Sequence, residues 1–313
     1  METDSEKVIE DLLKNKKLNL FRGDDKEFDY SRIPFEIPAL DRLTAGGIAK
    51  KRLTLIYGPT NVGKSYLASQ ICANVLNAGG KAAWIDTELS WDSVWMQRCG
   101  IDTTKIIVGQ PESGEDAMDT VRTLLDASFD VVVLDSIAGL VPHKNLEEDF
   151  SFNPMAWQAR FVNSSLPKVL PSLSNGGALE AINQVRSSIG PVALDNMPGG
   201  LAQSFFAHAL LQVRRKGWIE DSGVKVGFDM EVRLRKTKIG GENWSSVLVP
   251  FRVEGGIDVL ESYIREAIGK KLITQAGPWY TYKEQKYMGL NSLKQVFLEN
   301  EALSEELKKD VTS

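Results

Sequence analysis

The sequence predicts an α/β protein with a parallel central sheet that is buried on both faces. Between residues 36 and 258, short apolar runs alternate with stretches of helical spacing. The runs are almost continuously apolar, as expected for strands that helices cover on both sides. The predicted strands are LTLIY, KAAWID, KIIVG and DVVVLD, and the helical stretches are SYLASQICANVL, WDSVWMQRCG and DAMDTVRTLLDAS. This alternation of strands and helices favours an α/β core.

Two smaller regions flank the predicted core. Residues 1–35 hold a short amphipathic helix, with Val8, Leu12 and Leu13 on one face, and a polar linker. Because this helix is too short to be stable alone, it either caps the core or docks on a neighbouring subunit. Residues 259–313 predict a small α+β domain, in which VLESYIREAIGKKLITQ has helical spacing and WYTYKEQKY alternates like a hairpin.

Composition excludes several classes of protein. No apolar stretch reaches about 18 residues, and the N-terminal residues METDSEKVIEDLL are acidic, so we expect neither a membrane span nor a secretory signal. Cys72 and Cys99 lie far in sequence from His143 and His208, which leaves no zinc or disulfide spacing. A net charge of -5 argues against a uniformly basic surface but not against local basic stripes. We therefore expect a soluble, cytoplasmic protein without a membrane partner.

A phosphate-binding pattern lies between the first predicted strand and the helix after it. The pattern G-x-x-x-x-G-K-[ST] is matched by Gly58, Pro59, Thr60, Asn61, Val62, Gly63, Lys64 and Ser65. Its backbone amides would face a phosphate chain at a helix N-terminus. Lys64 would contact the outer phosphates and Ser65 would hold Mg²⁺. An ordinary glycine turn rarely needs Lys and Ser directly after Gly, so the pattern predicts nucleotide binding.

Three carboxylates follow neighbouring predicted strands. Asp86 and Glu88 lie at the end of KAAWID, and Asp135 ends DVVVLD. Because the carboxyl ends of parallel strands share one edge, we expect these acids beside the phosphate loop. Asp135 suits a Mg²⁺ partner, and Glu88 suits a general base that orients water. Each acid could instead cap a helix or lie at a solvated strand end. Together they favour hydrolysis over binding alone.

A polar strand end and two loops follow. Gln184, at the end of AINQ, could sense a terminal phosphate by hydrogen bonding without adding charge. Residues 144–155 and 187–200 lack a regular period and predict two loops. Loops beside a nucleotide sensor suggest a large ligand that the nucleotide controls. The alternative is two unrelated surface loops.

Two basic clusters come next, Arg214-Arg215-Lys216 and residues 233–238, RLRKTK. In a strand, Lys236 and Lys238 would share one face and could reach the same anion. Such cations can come from a neighbouring subunit and stabilise charge on a transferred phosphate. A solvated strand face is the alternative interpretation.

From about Ile37 to Gly289 the chain resembles the RecA-type recombinases, ATP-driven filaments on single-stranded DNA. The resemblance is carried, in the family's order, by IYGPTNVGKS, WIDTELSWDSVW, GQPESGEDA, VVVLDSIAGLVP, INQVRSSIG, the glycine pair before FFAHALLQVRR, RKTKI and AGPWYTYKEQKYMG. It implies a RecA-like P-loop ATPase core, with a mostly parallel sheet flanked by helices. The N-terminal helix and the small C-terminal α+β domain complete this prediction.

The resemblance also implies roles for particular residues. Glu88 matches the catalytic glutamate, Asp135 the magnesium-site aspartate, and Gln184 the residue that couples the γ-phosphate to DNA binding. Further matches are Asp92 and Trp95 for adenine contact, Lys236 and Lys238 for ATP contact across a subunit interface, and Met155, Ile189, Gly199, Gly200, Arg160 and Arg186 for DNA contact. We assign the basic pair Arg214 and Arg215 to DNA binding as well.

The predicted protein is an ATP- and Mg²⁺-dependent strand-exchange protein. It would assemble head to tail on single-stranded DNA, take double-stranded DNA as a second substrate, and accept help from loading mediators. A ring motor of the same fold, such as a helicase core, is one alternative. A non-catalytic DNA-coating or mediator paralogue is another, supported by two loops that look shorter than in the common bacterial form.

Glu180 is the main departure from the expected pattern. It lies within SNGGALEAINQ, a stretch that predicts a buried strand. Burying an unpaired carboxylate costs several kcal/mol. We therefore expect either that the strand begins later than this stretch suggests or that Glu180 has a partner. This departure also supports the mediator alternative.

Overall fold

The computed structural model describes residues 4–15, 17–18, 20–28, 30–143, 154–187, 195–200 and 202–312. The chain forms two compact units, residues 1–31 and residues 32–313. In the first unit, helix α1 (Asp4–Lys14) leaves Val8, Ile9 and Leu12 exposed. The amphipathic N-terminal helix is therefore present. The division into residues 1–35, 36–258 and 259–313 stays a prediction.

The second unit contains the elements of the predicted core and C-terminal domain. Its helices are α2 (Pro38–Leu43), α3 (Lys64–Asn77), α4 (Ser93–Arg98), α5 (Gly114–Asp126), α6 (Pro154–Val169), α7 (Ala202–Phe206), α8 (Val259–Gly269), α9 (Leu290–Glu299) and α10 (Glu301–Thr312). Its strands are β1 (Arg32–Ile33), β2 (Ile48–Ala49), β3 (Leu53–Gly58), β4 (Ala82–Asp86), β5 (Ile107–Gly109), β6 (Val131–Asp135), β7 (Ala178–Gln184), β8 (Arg186–Ser187), β9 (Asp195–Asn196), β10 (Ala209–Asp221), β11 (Val224–Thr237), β12 (Ser246–Arg252), β13 (Gly256–Ile257), β14 (Ile273–Ala276), β15 (Trp279–Tyr282) and β16 (Gln285–Met288).

The central sheet has the strand order β13-β12-β11-β10-β3-β7-β6-β4-β5. Every neighbouring pair from β10 to β5 is parallel. The pairs from β10 to β13 are antiparallel, and the long β10–β11 hairpin forms most of this extension. The prediction of a mostly parallel sheet is therefore confirmed. β3, which precedes the phosphate loop, lies between β10 and β7.

Helices cover both faces of the sheet, as the continuous apolar strands predict. On β3, Ile56 packs in a cluster with Leu67 and Ile71 of α3. Its neighbour Leu55 points to the opposite face and joins a cluster formed with α5 and α6. Every residue of β3 is buried. This packing fixes the strand from which the phosphate loop begins.

β7 begins later than predicted, at Ala178, which is one of the two outcomes expected around Glu180. The strand nevertheless includes Glu180, which is fully buried. The residue is paired with Thr54 of β3 and Val133 of β6. Neither carboxyl oxygen has a hydrogen-bond partner among the described residues. Burial raises the pKa of Glu180 to about 8, so the carboxyl is mainly protonated at neutral pH and avoids a buried charge.

The C-terminal residues fold around a core of their own. β14, β15 and β16 form an antiparallel sheet. Buried residues of this sheet, among them Tyr282 of β15, pack with Phe297 of α9 and Leu307 of α10. The predicted hairpin is therefore confirmed, with β14 as a third strand. The final stretch forms the two helices α9 and α10.

The two predicted loops differ in extent from the structure. Residues 144–153 and 188–194 lie outside the described residues. Residues 154 and 155, which we expected in the first loop, instead begin α6, whose first residue Pro154 suits a first helical turn. In the second loop, β8 pairs with β9. Within the described ranges, no helix is both long and apolar enough to cross a membrane.

Candidate functional site

The predicted phosphate loop connects β3 to α3 at the carboxyl edge of the parallel sheet. Gly63 directly precedes α3 and has a φ of 95°, a left-handed conformation that favours glycine. A Cβ atom at Gly58 would lie 2.1 Å from the carbonyl oxygen of Val213, so that position also requires glycine. The loop backbone is thus shaped by both glycines of the pattern.

A cleft of about 530 Å³ opens at this loop. Its volume lies within the range that small-molecule sites occupy. Residues from the phosphate loop, α3 and the neighbouring strand ends line it, namely Thr60, Asn61, Val62, Gly63, Lys64, Ser65, Tyr66, Glu88, Ser90, Asp135, Ile182 and Gln184. The structure therefore brings together Glu88, Asp135 and Gln184 with the predicted phosphate-binding residues 60–65, whereas Gly58 and Pro59 do not line the cleft. Tyr66, Ser90 and Ile182 were not predicted.

Lys64 lies folded back over the loop. Its Nζ donates a hydrogen bond of 2.6 Å to the carbonyl oxygen of Pro59. Burial lowers the pKa of the Lys64 ammonium, while the nearby carboxylates of Asp135 and Glu88 oppose this shift. The arrangement holds a cation at the mouth of the loop, where a phosphate chain would lie.

Ser65 and Asp135 form the predicted cation site. The Ser65 hydroxyl donates to Oδ2 of Asp135 at 2.8 Å. Burial, opposed by the Ser65 hydrogen bond and reinforced by the charges of Glu88 and Asp86, raises the pKa of Asp135 to about 7. Hydroxyl and carboxylate oxygens are the hard donors that Mg²⁺ prefers, with water and phosphate completing its shell. Ser65 and Asp135 are therefore the residues that could hold such an ion; no group of three or more His, Cys, Asp or Glu side chains among the described residues could hold a metal ion.

Glu88 is fixed by residues from two other strand ends. Its Oε1 accepts a hydrogen bond of 2.7 Å from Nε2 of Gln184, at the end of β7. The same oxygen accepts a short hydrogen bond from the Ser136 hydroxyl. Sequence reasoning missed Ser136, although it directly follows Asp135 at the same strand end. The contacts hold the carboxylate in the cleft with an oxygen available to orient water.

Asp86 shapes the turn that carries Glu88 rather than lining the cleft. Its carboxylate accepts from the backbone amides of Trp91, at 2.9 Å, and Glu88, at 3.2 Å. Nε2 of Gln110 donates to it at 3.0 Å. Burial tends to raise the pKa of Asp86, but these hydrogen bonds, led by Gln110, lower it overall. The expected cluster of three acids therefore consists of two cleft residues and one that supports them.

The predicted adenine contacts lie beside the cleft. Asp92 caps α4, accepting a hydrogen bond of 3.0 Å from the backbone amide of Trp95. The Trp95 ring packs edge-on against Tyr66, with ring centroids 5.6 Å apart. Among the described residues that line the cleft, the aromatic one is Tyr66. Adenine contact by Asp92 and Trp95 stays a prediction.

Lys236 and Lys238 share one face, as their spacing predicts. Nζ of Lys236 donates to the carbonyl oxygens of Ser204 at 2.6 Å and Ala207 at 3.0 Å. Nζ of Lys238 donates to the carbonyl oxygen of Phe205 at 3.2 Å. Both cations therefore lie at the C-terminal end of α7, outside the cleft of the same chain. Their contact with ATP across an interface stays a prediction.

The predicted DNA-binding residues lie in several places. Gly199 and Gly200, with φ values of 82° and 76°, precede α7. The guanidinium of Arg160 lies over the Trp157 ring, and that of Arg215 over the Trp218 ring. Met155 is in the first turn of α6, Arg186 is in β8, and Arg214 is an exposed residue of β10. Ile189 lies outside the described residues. No DNA contact is tested by this arrangement.

Comparison with known proteins supports the resemblance seen in the motifs. The family model described as the RecA N-terminal domain matches residues 9–251. The chain is 33% identical over 295 residues to Protein RecA of Mycobacterium ulcerans, which covers 92% of this chain and 85% of the relative. It is also 33% identical over 303 residues to Protein RecA of Acidothermus cellulolyticus, with the same coverage. The match to Protein RecA of Mycobacterium marinum is 32% identical over 295 residues.

Proposed function

The chain belongs to the RecA family of recombination and repair proteins, and from this premise we propose that it is an ATP-dependent DNA strand-exchange protein. One observation carries the proposal. The predicted catalytic Glu88 is hydrogen-bonded to Gln184 in the cleft that Lys64, Ser65 and Asp135 also line. The group predicted to orient the attacking water and the group predicted to sense the nucleotide are thus in direct contact.

In this proposal the cleft binds ATP with its phosphates along the loop. Lys64 and the loop amides hold the phosphates, and Glu88 orients a water molecule for attack. Ser65 and Asp135 would hold Mg²⁺, which neutralises charge on the terminal phosphates when bound. Gln184 would exchange its hydrogen bond with Glu88 for one with the terminal phosphate. Because β7 leads into the second predicted DNA-binding loop, this exchange would couple ATP to DNA.

Assembly on single-stranded DNA completes the proposal. Subunits would join head to tail, which gives a heterologous and open-ended interface. Lys236 and Lys238 would leave the carbonyl groups of α7 to contact ATP of the next subunit. The exposed face of α1, with Val8, Ile9 and Leu12, would dock on a neighbouring subunit. Double-stranded DNA would then be searched by base pairing, while the protein contacts mainly the backbone.

The test is ATP turnover with and without single-stranded DNA, with electron microscopy of the same samples. We expect DNA to stimulate turnover and helical filaments to form. Glu88→Gln should lower turnover by about 10²- to 10⁴-fold while filaments persist, because only the base is lost. Glu299→Gln, at an exposed position on α9, is the matched control and should turn over ATP normally.

Other outcomes would favour other functions. Rings in place of filaments would indicate a ring motor, and binding of ATP and DNA without strand exchange would indicate a mediator. Unchanged turnover in Glu88→Gln would remove Glu88 from the mechanism. An ATP turnover rate that is the same with and without single-stranded DNA, together with no filament formation, would contradict the proposal as a whole.

A further inference from the structure

Helix α6, which carries two of the predicted DNA contacts, is tied by one side chain to the turn after β6. Nε2 of Gln158 donates hydrogen bonds to three backbone carbonyl oxygens, those of Ile137 at 3.1 Å, Ala138 at 2.8 Å and Leu140 at 3.3 Å. These carbonyls belong to the 3₁₀ turn, Ile137–Gly139, and to the residue that follows it. Because carbonyl groups at the end of a short helix lack partners within it, a side-chain amide can fix their position.

The other end of the 3₁₀ turn is joined to Glu88. Ser136 directly precedes the turn, and its hydroxyl donates to Oε1 of Glu88. The backbone amide of Ser136 donates to Oγ1 of Thr87 at 2.8 Å, and the Thr87 hydroxyl donates to the Ser136 carbonyl oxygen at 2.7 Å. The turn also packs closely on this segment, since a Cβ atom at Gly139 would lie 2.4 Å from Oγ1 of Thr87. A displacement of the turn therefore displaces the carboxylate that is predicted to orient water.

The glycine pair predicted to contact DNA packs on the same two segments. A Cβ atom at Gly199 would lie 3.1 Å from Cγ2 of Ile137 in the 3₁₀ turn and 3.2 Å from Cγ2 of Val162 in α6. A Cβ atom at Gly200 would lie 3.2 Å from Cβ of Ala159, also in α6. The glycine pair, α6 and the 3₁₀ turn are thus packed against one another, and closely packed groups transmit displacement. Both predicted DNA-binding segments therefore meet at the turn that leads to Glu88.

We propose that Gln158 is a positioning residue that transmits DNA binding at α6 to Glu88, through the 3₁₀ turn and Ser136. This inference rests on the proposed function, since it requires DNA at Met155 or Arg160, which lie within three residues of Gln158 on α6. DNA bound there would fix α6, the Gln158 amide would fix the turn, and the turn would hold the Glu88 carboxylate toward the attacking water. Gln158 does not line the cleft, so it should affect the rate of hydrolysis and not the affinity for ATP.

The test measures steady-state ATP turnover by the full chain with Mg²⁺, without DNA and with saturating single-stranded polythymidylate. The measured quantity is the ratio of kcat with DNA to kcat without DNA. Gln158→Met keeps the length of the side chain but removes the donor. We expect it to lower this ratio by about tenfold, within the range by which residues between two coupled sites change their coupling. The KM for ATP should stay within about twofold of the wild-type value, because no contact with the nucleotide is lost.

Further variants separate this role from a structural one. Ser136→Ala interrupts the same path nearer to Glu88, so the double variant Gln158→Met/Ser136→Ala should have the same ratio as Ser136→Ala alone. Asn163→Met, at an exposed position further along α6, is the matched control and should keep the wild-type ratio. Circular dichroism checks the folding of each variant. Should Gln158→Met fail to fold, Gln158→Glu, which has the same shape but presents an acceptor to the carbonyl oxygens, replaces it with the same expected result.

Three results would overturn the inference. In Gln158→Met, the ratio could stay at the wild-type value, or turnover could fall by the same factor with and without DNA, as for a residue that only stabilises the fold. In the double variant, additive losses would mean that Gln158 and Ser136 act separately. A wild-type chain whose turnover is the same with and without DNA would contradict the proposed function itself, and this inference with it.

Discussion

Glu180 and Glu261 are both buried glutamates, but their surroundings differ. Glu180 is 0% exposed in the middle of β7, and neither of its carboxyl oxygens has a partner among the described residues. Glu261 is 1% exposed in the first turn of α8 and contacts three cationic side chains, Arg252, Arg265 and Lys294. The chain thus accommodates a buried carboxyl in two ways. One group is kept neutral by burial, and the other is paired as an anion.

The location explains the difference. Glu261 lies where the C-terminal domain meets the antiparallel part of the sheet. Arg252 comes from β12, Lys294 from α9, and Arg265 also contacts Asp229 of β11 at 2.6 Å. Long cationic side chains can reach this junction from several elements. Glu180 lies in β7 between β3 and β6, opposite Thr54 and Val133, and the described residues offer neither of its carboxyl oxygens a hydrogen-bond partner.

Removing the paired anion should have the largest effect. Glu261→Ala leaves Arg252, Arg265 and Lys294 with less negative charge in a buried site. We expect the free energy of unfolding to fall by about 3–5 kcal/mol, as when one partner of a buried ion pair is removed. Urea unfolding followed by circular dichroism measures it. Glu254→Ala, at an exposed position nearby, is the control; an equal loss in both variants would mean that the pairing contributes little.

Removing the unpaired carboxyl of Glu180 should instead change how the free energy of unfolding depends on pH. The folded state holds the Glu180 proton up to a pKa of about 8, whereas the unfolded chain releases it near the ordinary value of 4.5. Between these values the folded state binds more protons, so stability is full at low pH and falls as pH rises. The slope attributable to Glu180 is at most about 1.4 kcal/mol per pH unit.

Glu180→Gln lacks this titration. The difference in unfolding free energy between variant and wild type should therefore shift by about 2–3 kcal/mol in the variant's favour between pH 5.5 and pH 7.5. Other groups, such as Asp135, titrate equally in both proteins and cancel in the comparison. Urea unfolding at both pH values provides the measurement. A constant difference would show that Glu180 is ionised in the folded chain.

The sequence predicted what depends on local pattern. Strand and helix alternation, the phosphate loop and the strand-end positions of Glu88 and Asp135 follow from periodicity and from the rule that parallel strands share a carboxyl edge. The spacing of Lys236 and Lys238 predicted a shared face in the same way. These features can be predicted without knowing which residues, distant in sequence, are in contact in the folded chain.

Other features depend on contacts between residues that are distant in sequence, and they could not be predicted. The contacts of Ser136 and Gln184 with Glu88, and of Trp95 and Phe251 with Tyr66, join residues far apart in the chain. Nothing in the local pattern distinguishes Tyr66 from an ordinary helix residue. Glu180 was recognised as unusual, but its protonated state depends on the space and donors that neighbouring strands supply, which the sequence alone does not give.

Removing one partner of an exposed ion pair should have the smallest effect on the free energy of unfolding. Glu305 and Lys308 of α10 form an ion pair of 2.6 Å, but their side chains are 62% and 40% exposed. Water already solvates both charges, so Glu305→Gln should change the unfolding free energy by no more than about 0.5 kcal/mol. Urea unfolding beside Glu261→Ala gives the measurement. A loss as large as that of Glu261→Ala would mean that pairing, rather than the burial of the paired charges, determines the cost of removing a carboxylate from this chain.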